Sequence, residues 1–235
     1  MNSDNFNLEL NEFEAFDLKM NDFSMESFAM DELNDTRYIK PPRGKERKES
    51  FLKYDHAVNL AKDLTPEFGG VNYVIVNGSF IFGDFIEAFI TTHNLDVDEM
   101  VISTLSMSQN NVDSLANLLN WKFVKNLNLI VSDYFYSHER RMLVPYIYEK
   151  LDIDNRFQLS AARIHTKICM FKCANGMKFV MHGSANLRSS GNAEQFVIEE
   201  NAYLYDFNHQ YHSGLIEKFK TIDKNVKKKK HGNRK

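Results

Sequence analysis

The sequence is poor in cysteine and in long apolar stretches, and each shortage excludes a class of protein. Two cysteines among 235 residues exclude a secreted scaffold built on several disulfides. No second Cys/His pair has zinc-ligand spacing, so Cys169 and Cys173 are predicted to be reduced thiols packed on or near a strand. The longest apolar runs, YVIV and LNLIV, are far too short to span a bilayer.

A secretory signal is also missing, since no basic stretch followed by an apolar one opens the chain. We therefore predict a cytoplasmic protein without a membrane partner. A hydrophobic content of 43% and 235 residues are enough for one substantial core with tails.

Charge is concentrated at the two ends of the chain. Residues 1–35 carry ten acids against Lys19 alone, alternating with large apolar groups, whereas residues 224–235 carry seven bases and no acid. The acidic-hydrophobic pattern favours a disordered segment that binds a protein partner, with a solvated tail as the alternative. Residues 36–50, with their Pro-Pro, Gly and charge run, are predicted to be a basic linker, and residues 223–235 a basic tail.

Residues 51–222 show the pattern of an α/β domain. Strands alternate with helical stretches, which predicts a mixed, mostly parallel sheet with helices on both faces and an antiparallel part at the hairpin around Asn175-Gly176. Predicted strands cover 71–76, 99–106, 126–135, 157–173, 177–184 and 194–205. Predicted helices cover 54–64, 84–94, 111–121 (capped by Asn110 or Asn111), 138–151 (distorted near Pro145) and 209–222.

One stretch, RIHTKICMFKCANGMKFVMHGSANL, carries polar residues at regular spacing. On a strand, residues i and i+2 project from one face, so His165 and Lys167 would point together. Ser184 and Asn186 would do the same one strand later, and Gly183 would let the backbone come close. The two strands then present an imidazole, an ammonium, a hydroxyl and an amide as one patch. Glu194, further on, could accept the Nδ1 proton of His165 and fix its tautomer.

These side chains suit cleavage of a phosphodiester without a metal. That reaction needs a nucleophile that can accept a phosphoryl group, a cation and neutral donors on the non-bridging oxygens, and a proton donor for the leaving group.

His165-x-Lys167 followed by Gly183-Ser184-x-Asn186, with Asn192-x-Glu194 after it, resembles the HxK…GSxN signature of the phospholipase D superfamily. The α/β pattern of residues 51–222 is similar to one catalytic half of that fold. The sequence departs from the family pattern at Lys172, where members often have an aspartate five residues after the lysine.

The resemblance implies a mechanism and an assembly. His165 would attack phosphorus to form a phosphohistidine, while Lys167, Ser184 and Asn186 hold the oxyanion and no metal or other cofactor takes part. A histidine from a second motif would protonate the leaving oxygen, and water would then hydrolyse the intermediate. Because this chain has one HxK, the resemblance implies a homodimer in which two motifs meet.

Further residues are candidates for binding substrate. They are His182, beside the motif; Ser106, Ser108 and Gln109, where a predicted strand ends; and Lys227 and Lys228 of the basic tail, which offer a sequence-independent grip on phosphates. HERR, residues 138–141, could bind phosphates, but at a predicted helix start it is interpreted as a solvated face. The remaining histidines are interpreted as ordinary surface or hydrogen-bonded residues: His56, His93, His138, His209 and His212.

The leading prediction is a metal-independent phosphodiesterase, a nuclease acting on DNA in a homodimeric site. One alternative is a nucleic-acid- or partner-binding protein with this fold, whose activity is silent or gated by residues 1–35. A lipid phosphodiesterase is the other.

Overall fold

A mixed sheet of eight strands organises the described part of this computed structural model, which comprises residues 48–54, 56–77, 80–188 and 191–222. The segment 1–35, most of the predicted linker and the tail 223–235 with Lys227 and Lys228 lie outside it. The strands are β1 (Lys48–Tyr54), β2 (Gly70–Val76), β3 (Val97–Thr104), β4 (Leu127–Ser132), β5 (Phe157–Ala162), β6 (Ile168–Cys173), β7 (Lys178–Gly183) and β8 (Glu194–Glu200). The helices are α1 (Ala57–Asp63), α2 (Phe82–Thr92), α3 (Gln109–Asn120), α4 (Asp133–His138), α5 (Leu143–Leu151) and α6 (Ala202–Phe219).

The sheet is α/β and mixed as predicted, but the expectation that it is mostly parallel is wrong. In the order β1-β2-β8-β7-β6-β3-β4-β5, four of the seven neighbouring pairs are antiparallel. The parallel pairs are β1 with β2, β3 with β4, and β4 with β5, and helices connect each of these. No helix separates β6, β7 and β8, and consecutive strands joined by short connections must run antiparallel. The antiparallel part therefore extends well beyond the predicted hairpin.

Helices cover both faces of the sheet. The first five contribute to the larger apolar core on one face, which includes Phe85, Phe89 and Phe196. On the other face, α6 closes a smaller cluster in which Tyr205 packs with Val101 and Met170. Cover on both faces explains why β3 is buried at every position from Met100 to Thr104 rather than at alternate ones.

Polar residues end two strands earlier than the sequence pattern suggested. The strand predicted over 126–135 stops at Ser132, whose hydroxyl accepts from the Phe135 amide (3.0 Å) and caps α4. The strand predicted over 194–205 stops at Glu200, and the Asn201 side chain caps α6 by accepting from the Leu204 amide (3.0 Å). In both cases a side-chain oxygen accepts a hydrogen bond from a free N–H at the start of a helix, and this stabilises the helix start more than the residues' strand propensity stabilises a longer strand.

Two other helix starts also differ from prediction. Ser108, rather than Asn110 or Asn111, caps α3, and its backbone amide donates back to Asn111 Oδ1 (2.8 Å) in a capping box. The helix predicted from residue 138 begins at Leu143, after the short α4 and a turn. Pro145 is therefore in its first turn, where no backbone donor is required.

The histidines of α6 differ in their hydrogen bonding. His209 Nε2 lies 3.0 Å from Glu99 Oε2. His212 is buried, and its Nδ1–H donates to the Asn208 carbonyl (2.7 Å), while Nε2 has no hydrogen-bond partner among the described residues. Burial lowers the pKa of His212, with a smaller contribution from the nearby His209. Protonation at Nε2 would place an unpaired charge beneath α6.

The protein should therefore lose stability as the pH falls below about 6.5, because the unfolded chain takes up a proton at His212 more readily than the folded one. His212→Gln should flatten the pH dependence of the free energy of unfolding, measured by urea titration between about pH 7.5 and about pH 5.5. The matched control is His56→Gln at an exposed position. A variant at position 212 with the parent's pH dependence would contradict this role.

Candidate active site

The predicted motif residues gather at one edge of the sheet. Here β2, β3, β4, β5 and β7 end, and β6 and β8 begin, as the register pairs Ser103–Ile168, Ile168–His182 and Val76–Glu194 show. We call this the motif edge. The carboxyl ends of the parallel strands lie here, where α/β sheets place their ligands.

His165 and Lys167 do not lie on a strand, contrary to prediction. Residues 163–167 connect β5 to β6, so the rule that i and i+2 share a face does not apply to them. The segment is instead held by its neighbours. Thr166 Oγ1 lies 2.6 Å from the hydroxyl of buried Ser103, and the Gly183 amide donates to the Lys167 carbonyl (3.4 Å). These contacts hold the segment at the ends of β3 and β7, with His165 exposed and Lys167 half-buried.

Sequence reasoning missed Ser103. Its hydroxyl also reaches the Thr166 carbonyl (3.4 Å), so one buried side chain holds the middle of the segment that carries His165 and Lys167. The available signal was a Ser-Thr pair that ends the apolar strand EMVIST. A hydroxyl at a buried strand end needs a hydrogen-bond partner, and only the fold shows which one.

Ser184 lies just beyond β7 and is fixed by the first residues of β8. Its hydroxyl donates to the Glu194 carboxylate and accepts from the Gln195 amide (3.1 Å), while its own amide donates to the Gln195 carbonyl (2.9 Å). The predicted role of Glu194 was to orient His165. Because the structure shows Glu194 in contact with Ser184, that role stays a prediction.

Gly183 is required by this close approach. A Cβ at this position would overlap the Gln195 carbonyl oxygen and lie 2.6 Å from the Phe196 Cα. Both obstacles are backbone atoms of β8, which cannot rotate away. The glycine therefore brings β7 and β8 together at the place where Ser184 and Glu194 meet.

Asn186 connects the loop after β7 to the end of β3. Its Oδ1 accepts from the Leu105 amide (3.3 Å), which orients the amide and leaves the donors on Nδ2. Together with Glu194 it lines a shallow depression at the motif edge. The other lining residues are Val76, Phe80, Phe82, Ala185, Arg188 and Asn192.

The motif edge thus holds an imidazole, an ammonium, a hydroxyl and an amide, with one carboxylate beside the hydroxyl. An imidazole can act as a nucleophile or as a proton carrier. An ammonium, a hydroxyl and an amide donate hydrogen bonds of the kind that stabilise an oxyanion. This set of groups suits phosphoryl or acyl transfer.

The predicted substrate-binding residues are placed less uniformly. Gln109 is exposed at the start of α3, whereas the Ser108 side chain caps that helix. The Ser106 carbonyl accepts from the Thr104 hydroxyl (3.0 Å) just after β3. His182 lies on β7 with Nε2 3.3 Å from Glu199 Oε1, on the sheet face covered by α6. Roles for these residues in binding stay predictions.

Lys172, the departure from the family pattern, is remote from this edge. It lies near the far end of β6, where it pairs in register with Glu99 and Lys178. Four residues of β6 lie between it and Lys167, and these five residue steps span about 16 Å at the usual rise per residue. Its side chain therefore does not reach the residues of the motif edge.

The two cysteines are buried with free thiols, as predicted. They lie four residues apart on one strand, too far for a disulfide. Burial raises the pKa of the Cys169 thiol, and burial with nearby carboxylates raises that of Cys173 to about 12. Neither thiol is suited to act as a nucleophile.

The described residues contain neither a metal-binding cluster nor a membrane-spanning helix. No group of three or more His, Cys, Asp or Glu side chains there could hold a metal ion. In the same residues, no helix is long and apolar enough to cross a membrane.

Comparison with known proteins gave structural likeness only. No family profile matches the sequence, and a search of curated proteins found no match. Among solved structures, NucT from Helicobacter pylori aligns with a TM-score of 0.47 at 9% identity, covering 64% of this chain and 98% of its own. Nuc from Salmonella typhimurium, a phospholipase D family member, aligns at 0.41 and 13% identity, covering 56% and 85%. TrmBL2, an archaeal chromatin protein that binds DNA, aligns at 0.44 and 11% identity, covering 91% and 67%. At such scores and identities the likeness assigns this chain neither a family nor a function.

Gly183→Ala should destabilise the fold by about 3 kcal/mol, because the new methyl group meets backbone rather than a movable side chain. Urea or thermal unfolding measures the change. Gly214→Ala is the matched control, since a Cβ there has nothing within 4 Å and lies in the interior of α6. Alanine at 214 should stabilise the protein by up to about 1 kcal/mol. Equal stabilities of the two variants would contradict the close approach of β7 and β8.

Proposed function

We propose that this chain is a metal-independent phosphodiesterase, a nuclease that cleaves DNA through a phosphohistidine intermediate. The observation that carries the proposal is the contact between the two motif segments. The Gly183 amide donates to the Lys167 carbonyl, so His165-x-Lys167 and Gly183-Ser184-x-Asn186 lie side by side at the motif edge. Residues distant in sequence thereby form one set of groups suited to phosphoryl transfer.

In the proposed reaction, an imidazole nitrogen of His165 attacks phosphorus and the P–O bond to the leaving nucleoside breaks. Lys167, Ser184 and Asn186 donate hydrogen bonds to the non-bridging oxygens as negative charge develops on them. A second histidine, in imidazolium form, gives its proton to the departing oxygen. Water then attacks the phosphohistidine, the same second histidine takes up a proton from that water, and His165 is released.

The second histidine is proposed to be His165 of another copy of the chain. The sequence has a single HxK, so one chain supplies a single copy of each group named above. A two-fold axis near the motif edge would bring two copies of His165 to one phosphate, one as nucleophile and the other as acid.

The basic segment 224–235 favours nucleic acid over phospholipid as the substrate. The segment 224–235 has seven bases and no acid, which suits a polyanion bound without sequence preference. A lipid substrate is tested directly by offering phosphatidylcholine vesicles to the same preparation.

The purified protein is expected to cleave DNA, offered both as plasmid and as a single strand, in the presence of EDTA. His165→Ala should lower the rate by about 10³-fold or more, because it removes the nucleophile. His56→Ala, at an exposed position on α1's N-terminal side, should cleave at the parent rate. Absence of cleavage by the parent chain, or equal cleavage by parent and His165→Ala, would overturn the proposal.

The dimer has its own test in a heterodimer purified through two different tags. A parent chain paired with His165→Ala should be nearly inactive, because the shared site then lacks either the nucleophile or the acid. A parent chain paired with His56→Ala should keep full activity. Sedimentation should give twice the chain mass of 27.4 kDa. Half the parent activity in the first heterodimer would show that each chain works alone.

A further inference from the structure

An exposed group of aromatic and basic side chains lies next to the motif edge and has no part in the chemistry described above. It consists of Tyr134 and His138 on α4, Arg140 and Arg141 in the turn that follows, and Arg163 directly after β5. We call it the α4 patch. For HERR, residues 138–141, the sequence pattern favours a solvated face, with phosphate binding as the alternative.

The patch is joined to the motif edge by the chain itself. β4 ends at Ser132, which pairs in register with Ala162, the last residue of β5. Tyr134 is thus two residues from the end of one strand, and Arg163 is one residue from the end of the next. Arg163 also belongs to the segment 163–167 that carries His165. Neighbouring strands are about 4.8 Å apart, so the end of β5 is about 10 Å from the end of β3.

Tyr134 is unusual in how it is held. Its side chain is 69% exposed, yet its ring lies 3.8 Å from the His138 ring, centre to centre, at an interplanar angle of 31°. His138 in turn is fixed by its Nδ1, 3.1 Å from the Tyr134 carbonyl oxygen. One face of the tyrosine ring is therefore covered by an oriented imidazole, and the other is open to solvent. An exposed aromatic ring that is already oriented is a platform on which a base can stack at a low entropic cost.

Arg163 supplies a cation beside this platform. Its side chain is 94% exposed, and its Nε lies 3.2 Å from Asp133 Oδ2. Ion pairs this exposed stabilise a fold by less than about 1 kcal/mol, so folding gives little reason for the arginine to be here. Guanidinium groups bind phosphates through paired hydrogen bonds, and Arg140 and Arg141 add two more exposed cations.

We propose that the α4 patch binds single-stranded nucleic acid and guides it into the motif edge. A base stacks on the open face of Tyr134, while Arg163 contacts the backbone phosphate between that base and the phosphate at His165. This inference rests on the proposed function and adds the substrate class. Only an unpaired base can leave its neighbours to stack on a protein ring, so the patch favours a single strand over a duplex.

Binding is measured by fluorescence anisotropy of a labelled oligothymidylate, with the full chain carrying His165→Ala so that no cleavage intervenes. Adding Tyr134→Ala should raise the Kd for the single strand about 10-fold, the loss of one stacked base. Tyr134→Phe keeps the ring and should bind as before. The Kd for a duplex of the same length should change by less than about 2-fold in either Tyr134 variant. A labelled oligouridylate run in parallel separates DNA from RNA as the source of the strand.

Arg163→Gln should weaken binding and lower the slope of log K against log salt by about one, as expected for one lost phosphate contact. Tyr203→Ala is the matched control. Its side chain is 91% exposed, but it begins α6 at the opposite edge of the sheet, so affinity should not change. Thermal unfolding of each variant checks that the fold is retained.

Unchanged single-strand affinity in Tyr134→Ala, or equal losses for single strand and duplex, would overturn the inference. Neither result depends on cleavage. If neither plasmid nor single-stranded DNA is cleaved with EDTA while the Tyr134 effect is present, the nuclease proposal is overturned and the binding surface is retained. If DNA is cleaved but Tyr134→Ala leaves single-strand affinity unchanged, the nuclease proposal is retained and the binding surface is overturned.

Discussion

The contact of β7 with β8 at Gly183 is the constraint on which the rest of the site depends. No side chain separates the two backbones there, because a Cβ would meet the Gln195 carbonyl and the Phe196 Cα. The Ser184 amide can therefore donate to the Gln195 carbonyl, and the Ser184 hydroxyl can accept from the Gln195 amide and donate to the Glu194 carboxylate. The same glycine donates its amide to the Lys167 carbonyl. A single residue without a side chain thus joins three segments: the loop that carries His165, the end of β7 and the start of β8.

The sequence was enough to predict which residues form the candidate site. It was not enough to predict the contacts that bring them together. The residues of the HxK and GSxN segments were expected together, and the structure places both segments at the motif edge. The stated reason was wrong, because it assumed strands through residues 163–167 and 184–186. Alternation along a strand is a local rule, whereas the actual link is a set of long-range hydrogen bonds from Ser103 and Gly183. Such partners are decided by the order of strands in the sheet, which a single sequence does not contain.

The fold shows the same division between local and long-range information. Helices and strands with clear periodicity, such as α2 and β2, were predicted close to their observed bounds. The sheet was wrongly predicted to be mostly parallel because helices alternate with strands only from β1 to β5. β6, β7 and β8 follow one another without a helix between them. Ends were misplaced where a capping side chain competes with strand propensity, as at Ser132 and Asn201. Local polar chemistry therefore set the boundaries, and the lengths of the connections set the topology.

The exposure of His165 bears on how the proposed chemistry would work. Hydrogen-bond donors stabilise developing charge far better when water is excluded, yet in this single chain His165 is exposed at the motif edge. A single chain thus supplies the reactive side chains but not the cover that would exclude water from them. A second copy placed across the motif edge would supply both the missing histidine and the cover that excludes water. A single strand guided to His165 over the α4 patch would enter from the β5 side of the sheet, so the partner could cover the rest of the motif edge. The incomplete motif and the open site thus support the same proposed assembly.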